Sequence, residues 1–106
     1  MVRKMGIKYI LGWLIAGTRG GMTRAKIIMT LKESPSNANQ LSTNLKLDYR
    51  TVRHHLDILL KNKLVAIAGD GYGQTYFLST LLEENYGLFE RFLNRLWEKE
   101  KRKKRN

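Results

Sequence analysis

The sequence predicts a mostly helical α+β domain, and three observations carry that reading. Apolar residues recur at three- and four-residue spacing through several segments, the helical period. At residue 64 the period changes to that of strands. The length of 106 residues, with 42% hydrophobic and 27% charged side chains, suits one globular core. A single proline and nine scattered glycines exclude collagen-like and proline-rich architectures. The chain has no cysteine, which excludes a disulfide scaffold, a thiolate metal site and a cysteine nucleophile. That composition fits a reducing compartment, and a cytoplasmic protein is expected.

Charge narrows the function. Twenty Lys and Arg stand against nine Asp and Glu, a net +11. An excess of this size attracts polyanions, either nucleic acid or an anionic membrane surface. It is unevenly spread: twelve basic and three acidic residues precede Leu64 (net +9), and eight and six follow (net +2).

The first element is the apolar stretch over residues 7–17. It is interrupted by Lys8 and falls short of the roughly 20 residues a membrane span needs. Arg3 and Lys4 ahead of it imitate the start of a signal peptide, but Thr18-Arg19-Gly20-Gly21 offers no convincing cleavage site. A short helix packed on the rest of the protein or on a second subunit is expected, with membrane association as the alternative.

After that break, Thr23 is expected to cap a helix running to about residue 33, with Ala25, Ile28 and Leu31 on its inner face. Pro35 ends it, because the residue before a proline avoids the helical region. Asn37 and Gln40 have the spacing of a capping box and open a short helix carrying Leu41 and Leu45. Lys46-Leu47 forms a turn, and Asp48 caps the next helix, predicted over residues 49–61. Val52, Leu56 and Leu59 share one face of it, flanked by His55 and Leu60, while Arg50, Arg53, His54, Asp57 and Lys61 lie opposite.

Residues 64–68 and 74–78 read as two strands of a hairpin joined by Gly69-Asp70-Gly71-Tyr72-Gly73. Thr80 with Glu83 suggests a second capping box and a last helix. Along it Leu82, Tyr86, Phe89, Leu93 and Leu96 make a two-repeat heptad seam. That seam must cover the N-terminal segment, a second subunit, or both, and we assign it as the dimer interface. A basic tail, frayed or disordered, is expected over residues 101–105.

Helix, short helix, tight turn, two-faced helix and hairpin, in that order, is the layout of a winged helix-turn-helix. Three blocks also look familiar: Arg19-Gly20-Gly21-Met22-Thr23-Arg24, then Asn37-Ala38-Asn39-Gln40-Leu41, then Asp48-Tyr49-Arg50-Thr51-Val52-Arg53-His54-His55-Leu56. Together they resemble archaeal winged helix-turn-helix transcriptional regulators allied to the ArsR family, over residues 19–79. The resemblance implies a homodimeric, DNA-binding transcriptional regulator with residues 49–61 in the major groove and the hairpin as a wing. The chain departs from the metal-sensing branch of that group, since it lacks Cys and its only histidines are adjacent, about 100° apart on a helix. No metal ligand and no cofactor are expected. The segments flanking the winged domain are an apolar helix (residues 1–18) and a dimerising helix with its tail (residues 80–106).

The candidate DNA contacts follow from the helix faces. Arg50 and Arg53 project from the first turns of the groove helix, where side chains meet base edges, and either guanine or phosphate suits them. Tyr49 and Thr51 flank them, and His54 lies on the same outward side. Asn37 and Asn39 suit phosphate at a helix start, with capping as the first role of Asn37, and Lys46 is a phosphate partner. Tyr72 and Gln74 are the wing's candidates, although the wing tip carries Asp70 and no basic residue; completing the sheet is the alternative role. His55, at the edge of the aliphatic face, is expected as a partly buried imidazole bonded to a neighbour. Neither histidine has a nucleophile at a suggestive spacing, and no phosphate loop, dinucleotide fingerprint or zinc-protease motif occurs. No catalytic residue is assigned, and an enzyme is not expected. The function read from the sequence is a sequence-specific regulator of duplex DNA. Its rivals are a sequence-tolerant DNA-coating or chromatin protein, and a winged-helix module that binds another protein.

Overall fold

A computed structural model describes residues 4–104. The chain begins with α1 (Lys4–Leu11), which runs directly into a π-helical turn (Gly12–Ala16). Ile7, Leu11, Leu14 and Ile15 point inward, whereas Tyr9 and Trp13 are 79% and 60% exposed. The N-terminal segment therefore packs one side on the rest of the chain. Its other side presents two aromatic rings to solvent.

The helix α2 (Gly21–Glu33) begins two residues before the expected Thr23 cap, with Gly20 as its N-cap and no side-chain cap at all. Close packing explains the difference. A Cβ on Gly21 would lie 1.9 Å from the Ile15 carbonyl oxygen, so the helix starts where only glycine lets the two backbones meet. Ala25, Ile27, Ile28 and Leu31 are buried, and the helix ends at an extended Ser34 before Pro35.

The helix α3 (Ala38–Leu45) starts with the expected capping box: the Gln40 amide donates to Asn37 Oδ1 and the Asn37 amide to Gln40 Oε1, both at 2.8 Å. Lys46 closes it in the left-handed conformation, φ 55°. Asp48 Oδ2 then accepts from the amides of Arg50 and Thr51, opening α4 (Tyr49–Lys61). Both the cap and the bounds of α4 agree with the sequence reading.

The hairpin pairs β1 (Val65–Ala68) with β2 (Thr75–Leu78) antiparallel, Val65 opposite Leu78 and Ala68 opposite Thr75. Ser36 extends this sheet by one bridge: its amide donates to the Tyr76 carbonyl and the Tyr76 amide returns the bond at 2.8 Å. The wing is thereby tied to the loop between α2 and α3. The fold is the winged helix-turn-helix that the order of elements predicts.

The C-terminal region departs from the single helix expected. Ser79, not Thr80, caps the short α5 (Thr80–Glu84), its hydroxyl accepting from the Leu82 amide. Asn85 interrupts the path, its side chain donating to the Leu81 carbonyl, before α6 (Tyr86–Lys104). The basic end stays helical through Lys104, and Arg105 lies outside the described residues.

Most consequential is the heptad seam. Leu82, Phe89, Leu93 and Leu96 are buried and Tyr86 is half-buried within the single chain, where α6 packs on α1, the π-turn and α2. Of the surfaces this seam had to cover, it covers the N-terminal segment. Two apolar stripes of one chain thus pack on each other, with Tyr86 left half-buried at the edge.

Candidate nucleic-acid interface

The buried face of α4 explains its orientation. Val52, Leu56 and Leu59 are fully buried against the packed body of α2, α3 and β1, which turns the polar side outward along its whole length. Tyr49, Arg50, Thr51, Arg53 and His54 are all exposed. Arg53 Nη1 donates to the Tyr49 hydroxyl at 3.3 Å, one helical turn away, which aligns the guanidinium along the helix.

The starts of α3 and α4 and the wing meet in one cleft of about 250 Å³. It is lined by Asn37, Asn39, Tyr49, Arg53, Gln74 and Tyr76, among others. Five of the candidates named from the sequence thus converge from three segments far apart in the chain. Tyr76 is an addition. Its ring is buried where β2 bridges to Ser36, and alternation along β2 is the signal that places it on the inner side.

Other candidates stand elsewhere. Arg50 and Thr51 are exposed on α4, and Lys46 is exposed at the turn before it, outside the cleft lining. His54 lines a second cleft on another flank of α4, with Trp13, Arg19 and Asn62. The side chain of Tyr72 lies outside the described residues. The wing between Leu64 and Leu78 contains no Lys or Arg, and Asp70 is exposed near its tip.

The floor of the second cleft holds the one polar cluster that sequence reasoning missed. Arg24 is 3% exposed and makes four hydrogen bonds. Nε donates to the Leu14 carbonyl at 2.9 Å, and Nη2 to the Thr18 hydroxyl and the Arg19 carbonyl at 2.6 and 3.1 Å. Nη1 lies 3.1 Å from His55 Nδ1. Because a guanidinium only donates, Nδ1 must accept, and neutral His55 carries its proton on Nε2. Burial pushes the His55 pKa down, and the positive Arg24 and neighbouring His54 add to that shift. His55 is thus the buried, bonded imidazole expected. The signal for Arg24 was present: with Ile28 and Leu31 it occupies the inner stripe of α2, where a cation needs partners.

Gly20 sits over this cluster with φ +89°, and a Cβ there would come within 2.8 Å of His55 Cε1. Among the described residues no group of three His, Asp or Glu is placed to hold a metal ion. Among the same residues, no helix is long and apolar enough to cross a membrane.

A helix with one polar, exposed face, a preceding short helix and a two-stranded wing define the class: a winged helix-turn-helix protein. Residues 22–66 match the family described as "Bacterial regulatory protein, arsR family", a span of about two-fifths of the chain. Among solved structures the chain is similar to HlyU from Vibrio cholerae N16961, at 19% identity and a TM-score of 0.58. That similarity covers 84% of this chain and 95% of the other, and it concerns the fold. Comparison with curated proteins gives no match.

Proposed function

We propose that the protein is a transcriptional regulator that binds duplex DNA as a homodimer and reads sequence with α4. The observation that carries this reading is the convergence of Asn37, Asn39, Tyr49, Arg53 and Gln74 in one cleft at the start of α4. Arg50 and Thr51 extend the same contact along the groove, and Lys46 meets the phosphate backbone beside it. The arsR-family match over residues 22–66 supports the assignment. So does the net +9 carried by the residues before Leu64.

The homodimer is supported by a different surface from the heptad seam. Tyr9 and Trp13 stand exposed beside a largely apolar cleft of about 630 Å³ that also includes Gly12 and Phe92. A second copy of the same surface would remove both rings from water.

Selection of random duplexes by the purified protein, repeated across salt concentrations, tests the reading. A recurrent two-fold motif with half-sites about one helical turn apart supports a dimeric, sequence-reading regulator. Enrichment of no motif, with a steep loss of binding in salt, would instead identify a DNA-coating protein. Absence of DNA binding even at low salt would leave the protein-interaction module.

A further inference from the structure

Arg24 and His55 are not on the DNA-facing side of α4, yet they connect that helix to the N-terminal segment. His55 follows Arg53 by two residues, roughly 200° around the helix, so the two act on nearly opposite sides of it. The guanidinium gathers the Leu14 carbonyl at the π-turn, the Thr18 hydroxyl and Arg19 carbonyl from the following loop, and His55 from α4. One buried cation thereby fixes residues 14–19 against the back of the groove-reading helix. The surrounding backbone is built around it. Gly20 leaves room for the imidazole and Gly21 lets α2 touch Ile15.

We propose that Arg24 and His55 are positioning residues that hold α4 in its DNA-competent pose. The hold requires an uncharged His55, so protonation of that ring releases α4 and weakens DNA binding. This rests on the DNA-binding reading above and adds its control from behind the helix.

The chemistry is one-directional. Arg24 has only donors, so His55 can accept from it only while Nδ1 is free of a proton. A protonated ring would lose the bond and face the guanidinium as a like charge. Nothing around it relieves that repulsion. The cleft presents Arg24 from α2, Arg19 from the loop and His54 from α4, while the π-turn contributes Trp13 and Leu14; no carboxylate lines it. The apolar face of α4 is anchored separately by Val52, Leu56 and Leu59, so release tilts the helix without unfolding it.

The test compares His54→Gln with His54→Gln/His55→Asn. The first change removes the neighbouring exposed histidine, so that the two proteins compared differ at position 55 alone. Asn places its carbonyl near the position of Nδ1, accepts from Arg24 and never acquires a charge. Affinity for a selected duplex is measured by fluorescence anisotropy from pH 8 to pH 5 at fixed ionic strength, with far-UV circular dichroism at every pH. The expected result is a progressive loss of affinity for His54→Gln as pH falls, bounded by the roughly tenfold that a one-unit difference in His55 proton affinity between free and bound forms would give. The double variant keeps a flat profile, and both keep their helical signal. Parallel profiles overturn the proposal, as does loss of affinity that merely follows loss of helix. Amide hydrogen exchange of the free wild-type protein gives the second arm. After division by the intrinsic, base-catalysed rate at each pH, the protection of residues 12–20 and of the α4 amides around His55 should fall together on acidification, and unchanged protection in either overturns the coupling. If no duplex is bound at any pH, the DNA reading fails, and this exchange arm still decides whether the link exists.

Discussion

Arg53 stands where three chain segments meet, its guanidinium steadied by the Tyr49 hydroxyl and flanked by Asn37 and Gln74. Arg53→Ala is expected to cost about 1–3 kcal/mol on a preferred site and to relax specificity there, read from competition binding. Lys46→Ala should instead weaken all duplexes alike and reduce the salt slope by about one. Asn37 also has a structural duty, since its side chain caps α3. Asn37→Ala should lower stability by about 1 kcal/mol in urea unfolding, so its DNA phenotype must be corrected for folding. His55 gives stability a pH dependence of definite sign. Its pKa is lower in the folded chain than the ordinary 6.5, so the unfolded state binds more protons in between. Stability is complete above the ordinary value and declines as pH falls below it, and the urea midpoint of wild type should drop more on acidification than that of His55→Asn.

Caps and breaks decide the elements. Asn37 with Gln40, Asp48 and Pro35 are local signals, and the boundaries they predict match the structure because each bond lies within one turn of the chain. The start of α2 and the break at Asn85 escaped the same reasoning. Gly21 begins a helix because Ile15 crosses it, and Asn85 turns its side chain back onto Leu81. The heptad seam shows the same limit. Its spacing announces a buried face but cannot name the cover, which proved to be α1 and the π-turn of the same chain. Leu93→Ala should therefore behave as a core truncation, losing about 2–5 kcal/mol in denaturant unfolding at any protein concentration.

At the scale of the molecule, the described chain measures 44 × 33 × 20 Å. Two copies are needed to place α4 helices in major grooves about 34 Å apart. The exposed rings of Tyr9 and Trp13 are the surface on which that pairing is expected. Trp13→Glu should shift sedimentation velocity toward the monomer while leaving the helical signal intact. It should also reduce affinity for a two-fold site far more than for a single half-site. A variant that remains dimeric would remove these rings from the interface.

The sequence by itself determined the order of elements, the caps of α3 and α4, and the polar face of α4. Those features depend on hydrogen bonds and periodicity within a few residues, which the linear order of side chains records. It also located the positive charge ahead of the wing. Only the tertiary structure decided that Asn37, Asn39, Tyr49, Arg53 and Gln74 share a cleft, since the Ser36–Tyr76 bridge holds the wing beside the start of α3. It likewise decided that the last helix closes on the first, and that a buried arginine links residues 14–19 to His55. Such contacts join residues tens of positions apart, and their energy depends on which surfaces remain to be covered once the local elements have formed.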